Sequence, residues 1–268
     1  MLTHTRTTLA ASLAALGLLA ASPAPAANAP DVMTIINRAN VAAYYQGKDG
    51  RAKVKMTIVD GKGNERTRKM VMLRRDVKDG GDQQFLVLFT RPADVRRTTF
   101  LVDKHVGRDD DRWMYLPGLD LVKRIAAADK RTSFVGSHFY YEDISGRRPD
   151  EDRHELVKVT DTHYVIRSTP KKPGSVEFKY YVTEIDKKSM LPTKAVYTDK
   201  SGKPYRQIEA LEVETIDGKP TITKMKATDL GTGGHTVTQM SKIKYDLGVP
   251  SDVFVERSLR DPPKKWLK

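Results

Sequence analysis

From residue 51 onward the side chains of this 268-residue chain alternate in character with a period of two, and short reversals rich in Gly, Pro, Asp and Lys interrupt the alternation. In "RAKVKMTIVD", residues 51–60, Ala52, Val54, Met56 and Ile58 fall on one side of an extended strand, while Lys53, Lys55 and Thr57 fall on the other. One face is therefore buried and one is wet. "DGKGN" at 60–64 reverses the chain, and Met70 and Met72 resume the buried side in "RTRKMVMLRR", which makes a β-hairpin. "QQFLVLFT" at 83–90 is apolar on both faces, as a central strand covered from both sides would be, and its Val87 and Phe89 share one of them. Pro92 ends it, and "TTFLVDKH" and "DRWMYLP" follow around an acidic turn at 107–111.

The second half repeats this grammar in "HELVKVT", "HYVIRST", "SVEFKYYVTEI", "PTKAVYTD", "YRQIEALEVETI", "TITKMKATDL" and "HTVTQMSKIKYD". Its connectors "PKKPG", "DKSGK", "DGKP" and "GTGG" are too short for the crossovers that parallel strands require, so neighbours in sequence should pair antiparallel. Roughly eleven strands in one meander are expected. Such a sheet is too wide to lie flat and should curl through its own twist into part of a barrel. A helix over 31–46, with Val32, Ile35, Ile36, Ala39 and Ala43 at helical spacing, and an irregular stretch over 119–139 are the segments available to cover the concave side. Both supply modest apolar area, which leaves concave space for a ligand.

No linker or composition step divides the chain, so residues 30–268 are expected to form one domain. Residues 1–29 read as a cleaved secretory signal, with Arg6 before an apolar run and Ala27-Asn28-Ala29 as an A-x-A site. The apolar run is shorter than the roughly 20 residues of a spanning helix. With no cysteine there is neither a disulfide nor a thiol for lipoprotein acylation, and the expected location is the periplasm. The formal net charge of +13 favours anionic partners. Export argues against nucleic acid and leaves anionic head groups at a membrane surface, met peripherally or transiently.

The densest aromatic stretch is "DRWMYLPGLDLVKRIAAADKRTSFVGSHFYYEDISG", residues 111–146. Together with "LFTRPADVRRTTFLV" it resembles the LolA-like outer-membrane lipoprotein-sorting family, through its W-x-Y-L-P, K-R-I, S-F-x-G-S and Y-E-D blocks in that order. The resemblance implies an unclosed β-barrel with a helical plug, an acyl chain held in a hydrophobic cavity, no catalytic residues, and an RND-type lipid exporter as a possible membrane partner. Arg97 and His138 depart from the family pattern, which has Gly and Asp at those positions. Trp113 and Tyr115 share one strand face, with Met114 and Leu116 on the other, and the aromatic pair is expected to line the cavity. Met56, Met70 and Met72 would add flexible walls, with Ile58, Val87, Phe89 and Phe139 completing the candidate lining.

Catalysis finds little support in the residues. If extended, Glu142 and Asp143 would point to opposite faces and could not form an acid/base pair; holding an Arg or capping a turn suits them better. Asp109, Asp110 and Asp111 lack the spacing of a calcium loop, and neither paired-histidine metal spacing nor a nucleophile elbow, P-loop or dinucleotide fingerprint is present. No cofactor or metal is implied. The sequence therefore points to a periplasmic carrier that shields a lipid or lipoprotein acyl chain between membranes. An adaptor that docks on an exporter with its concave face filled by side chains, and a lipid hydrolase, are the competing readings.

Overall fold

The computed structural model describes residues 30–267, so the expected signal segment lies outside the described residues. Asp31 accepts a hydrogen bond from the amide of Thr34 at 3.1 Å and starts helix α1 (Val32–Tyr44), whose Ile35 and Ala39 are buried against Ile166 and Ile185. Strands follow at β1 (Asp49–Val59), β2 (Glu65–Asp76), β3 (Gln83–Arg91), β4 (Thr99–Lys104), β5 (Asp111–Leu116) and β6 (Leu121–Ile125). After the short helix α2 (Tyr141–Ser145) come β7 (Asp152–Val159), β8 (His163–Pro170), β9 (Phe178–Asp186), β10 (Pro192–Asp199), β11 (Pro204–Ile216), β12 (Lys219–Asp229) and β13 (His235–Tyr245).

All thirteen strands join one antiparallel sheet in the order β6-β5-β4-β3-β2-β1-β13-β12-β11-β10-β9-β8-β7. β1 and β13 meet in the middle, and the sheet stays open between its edges β6 and β7. Sequence neighbours pair as their short connectors require, and the unclosed barrel is the expected architecture. The count exceeds the roughly eleven foreseen, partly because Leu121–Ile125, read as irregular, extends the sheet beyond β5. Its residues lack apolar alternation since an edge strand with Lys123 and Arg124 exposed has little to bury.

Residues 126–151 carry the chain from one open edge to the other and plug the concave side. Phe134 and Phe139 are buried there with Phe85, Val87, Phe89, Phe100 and Met114. The Phe134 ring meets Phe89, Phe100 and Tyr141 at centroid separations of 5.7, 5.3 and 5.6 Å. On the convex side lies a second apolar layer: Leu73, Leu86, Leu101 and Tyr115 are covered by Val249, Val253, Phe254 and Leu259 of the C-terminal segment. Asp49 fixes the start of that segment by accepting from the amides of Leu247, Gly248 and Val249 at 2.7 to 3.0 Å. β3 is thus covered on both faces, as its continuous apolar run requires.

A methionine-walled cavity under the plug

Cross-strand partners share a face of the sheet, so the register decides which side chains look inward. Met72 stands opposite Val87, Val87 opposite Phe100, and Phe100 opposite Met114, all on the concave side. One residue along, Leu73, Leu86, Leu101 and Trp113 form the parallel row on the convex side. Trp113 and Tyr115 therefore face away from the concave side and pack under the C-terminal segment, contrary to their expected place in the cavity wall. The Tyr115 hydroxyl donates to Asp120 at 3.1 Å. Both faces of β3, β4 and β5 are apolar, so aromatic content could not tell inside from outside; the chain of registers does.

The concave face encloses a cavity of about 400 Å³. Met56, Met70 and Met72 line it on one side, and Met225, Met240 and Ile208 on the other. Phe139 and Phe134 of the plug and Ala42, Ala43 and Tyr44 of α1 complete its walls. Of the remaining candidates, Ile58, Val87 and Phe89 lie on the same face but are sealed in the packed core below the plug. Met225 and Met240 were not singled out in the sequence, although their strands alternate. The signal was the register, which carries Thr238 opposite both Met56 and Met225.

One end of the cavity is polar, with Arg74, Glu142, Asp143, Arg147, Tyr181 and Thr183 in its lining. Glu142 and Asp143 belong to helix α2 rather than to a strand, so they diverge by the roughly 100° step of a helix and not by the strand alternation expected. Asp143 caps this helix, accepting from the Tyr140 amide at 2.6 Å, and also pairs with Arg206 of β11. Glu142 is 2% exposed and meets Arg131 at 2.5 Å, Arg147 at 3.2 Å and Lys130 at 3.3 Å. Burial alone would raise its pKa, but the charges of Arg131, Arg147 and Lys130 overcome that and lower it to about 2. Arg131 also lies over the Phe178 and Tyr197 rings at 4.7 and 5.0 Å and reaches Glu177 at 2.8 Å.

These carboxylates hold cations, as their residue types suggested. A carboxylate kept ionised by three cations is a poor proton donor or acceptor near neutral pH. The consecutive aspartates are likewise engaged: Asp110 accepts from Arg112 at 2.6 Å and from Ser145 at 2.9 Å, and Asp111 from Arg108 at 3.0 Å. Asp143–Arg206 and Ser145–Asp110 tie the plug to the sheet, the Glu142 pairs hold the plug together, and the apolar cavity lies beside them.

A family model described as "Uncharacterized protein" matches residues 81–261. Among solved structures, a DUF1329 family protein from Desulfovibrio piger is 30% identical, with a TM-score of 0.77 over 85% of this chain and 97% of that one. A putative outer membrane lipoprotein-sorting protein domain from Vibrio parahaemolyticus is 26% identical, with a TM-score of 0.78 over 85% and 97% of the two chains. A LolA superfamily protein from Nitrosomonas europaea is 20% identical, with a TM-score of 0.66 over 85% and 99%, and shares the fold. No curated protein matches the chain.

Proposed function

The chain belongs to the DUF1329 family, and from that premise we propose that it is a periplasmic carrier that shelters the acyl chain of a lipid or lipoprotein as it passes between membranes. The observation that carries this reading is the methionine-walled cavity left open beneath the plug. Its volume of about 400 Å³ falls within the range of about 300–1,000 Å³ usual for small-molecule sites. Methionines re-pack around alkyl chains of differing shape, which suits cargo that varies in length. Each methylene taken from water contributes about 0.8 kcal/mol, so a dozen carbons give roughly 10 kcal/mol before ordering costs.

Residues 30–268 act in this reading as one domain, and the polar end around Arg74 and Arg147 is where a head group would sit. Tight capture makes release the demanding step. A membrane partner, of which an RND-type transporter is one class, would shift the balance by stabilising an open position of the plug or by offering a better apolar acceptor. An adaptor without cargo would have its concave face filled, and the open cavity favours the carrier.

Titration with a fluorescent fatty acid tests the proposal. The mature wild-type chain should bind it, and Ala210→Trp, which inserts an indole from the cavity wall, should weaken binding at least about tenfold without lowering Tm by more than a few degrees. Equal binding by both proteins, or none by the wild type, contradicts it.

A further inference from the structure

Arg68 is 8% exposed, and its Nη1 is enclosed without a hydrogen-bond partner among the described residues. That is an expensive state for a guanidinium, whose fork geometry is made for oxyanions. Arg68 stands opposite Met56 on the concave face, six residues along β2 from Arg74 and thus about 20 Å towards the β1–β2 hairpin. It is therefore separate from the polar end of the cavity. Its Nη2 lies 3.9 Å from where a Cβ on Gly136 would be, so the guanidinium sits beneath the turn at Val135 and Gly136, both in left-handed conformations with φ of 49° and 70°.

The surroundings add positive charge. Arg66 precedes it on the same strand face, while Lys69, one residue along and so on the opposite face, pairs across strands with Arg91 at the same end of the sheet. Arg66, Lys69, Arg91, Arg96 and Arg97 are all exposed, against the acidic Glu65 and Asp94. Burial and the charge of Arg66 both lower the Arg68 pKa, while Asp94 acts in the opposite direction without forming an ion pair.

We propose that this end of the barrel is an oxyanion site, in which Arg68, with Arg66 at its entrance, binds a phosphate group beside the Val135–Gly136 turn. A phosphate satisfies the enclosed donor and neutralises the local charge surplus at once. The same chemistry serves free phosphate or the phosphodiester of an anionic lipid head group. The site owes nothing to the carrier reading and stands or falls separately from it.

The test uses the mature chain in chloride-balanced buffer. Inorganic phosphate should raise the Tm of the wild type, and Arg68→Gln should weaken the derived affinity at least about tenfold. Arg68→Lys, which keeps the charge but loses the fork, should fall between them. Without phosphate, Arg68→Gln should melt no lower than the wild type, because it removes a buried charge that has no partner. Co-sedimentation with phosphatidylglycerol and phosphatidylcholine vesicles identifies the source. Arg68-dependent preference for phosphatidylglycerol assigns the site to a lipid head group, whereas an Arg68-dependent phosphate response with no vesicle preference assigns it to a free anion. If neither phosphate nor phosphatidylglycerol distinguishes the wild type from Arg68→Gln, the proposal is overturned.

Discussion

At the scale of single residues, Glu142 joins three cations of the plug, Lys130, Arg131 and Arg147. Its folded pKa of about 2 lies below the reference value of 4.5, so the stability it contributes is fully present above about pH 4.5 and is lost as pH falls through 2. Glu142→Gln should flatten the acid limb of the stability profile in that window. At pH 7 the same change leaves Arg131, Arg147 and Lys130 short of a carboxylate and should cost on the order of 3 kcal/mol. Denaturant titrations at pH 7, 4 and 2 check both. Gly146 shows steric control: its φ is +81°, and a Cβ there would stand 2.5 Å from the Tyr44 ring. Gly146→Ala is expected to cost about 1–3 kcal/mol by pushing Tyr44 off the plug, which thermal melts would reveal. Trp113 tests the assignment of faces. In a Trp266→Phe background its emission should stay unchanged when a fatty-acid probe saturates the protein, while Trp113→Ala should lower stability by about 2–3 kcal/mol and leave probe affinity within about twofold. Quenching of Trp113 by the probe would put it in the cavity after all.

At the scale of elements, the C-terminal segment over 246–267 has a role that no periodicity announces. It is made of one short helix and two 3-10 turns, with Pro250 before the first turn and Pro262 and Pro263 after the helix, yet its Val249, Val253, Phe254 and Leu259 cover Leu73, Leu86 and Leu101. A chain ending at Tyr245 should expose that convex row, melt at a markedly lower temperature and self-associate, as light scattering would record. Strands were legible wherever one face is wet: Lys53, Lys55 and Thr57 against Val54, Met56 and Ile58 state the reading without help from the fold. β6 was not legible, because an edge strand of Leu121-Val122-Lys123-Arg124-Ile125 buries too little to keep a period. Nor was the side on which Trp113 lies, since β3 to β5 are apolar on both faces and only the register running from Met72 to Met114 orders them. The ion pairs of the plug depend on residues far apart in sequence, Asp143 with Arg206 and Arg131 with Glu177, and these no local pattern can reveal.

At the scale of the whole molecule, an open thirteen-stranded sheet, a charged plug and an outer strap divide the work. The strap and the packed core below the plug supply rigidity, and the ion pairs hold the plug over a cavity that the side chains leave unfilled. A fold that keeps about 400 Å³ of apolar space open gives up packing energy that a filled core would have. On the proposed carrier reading a bound acyl chain would restore it, and the protein would be complete only when loaded. Native mass spectrometry of the protein isolated from its native host, followed by solvent extraction, tests this central claim most directly. The account predicts a species heavier than the bare mature chain by the mass of one amphiphile, which is released on denaturation and absent from Ala210→Trp prepared in the same way. A wild-type protein that carries the bare mass throughout, with no lipid in the extract, would contradict it.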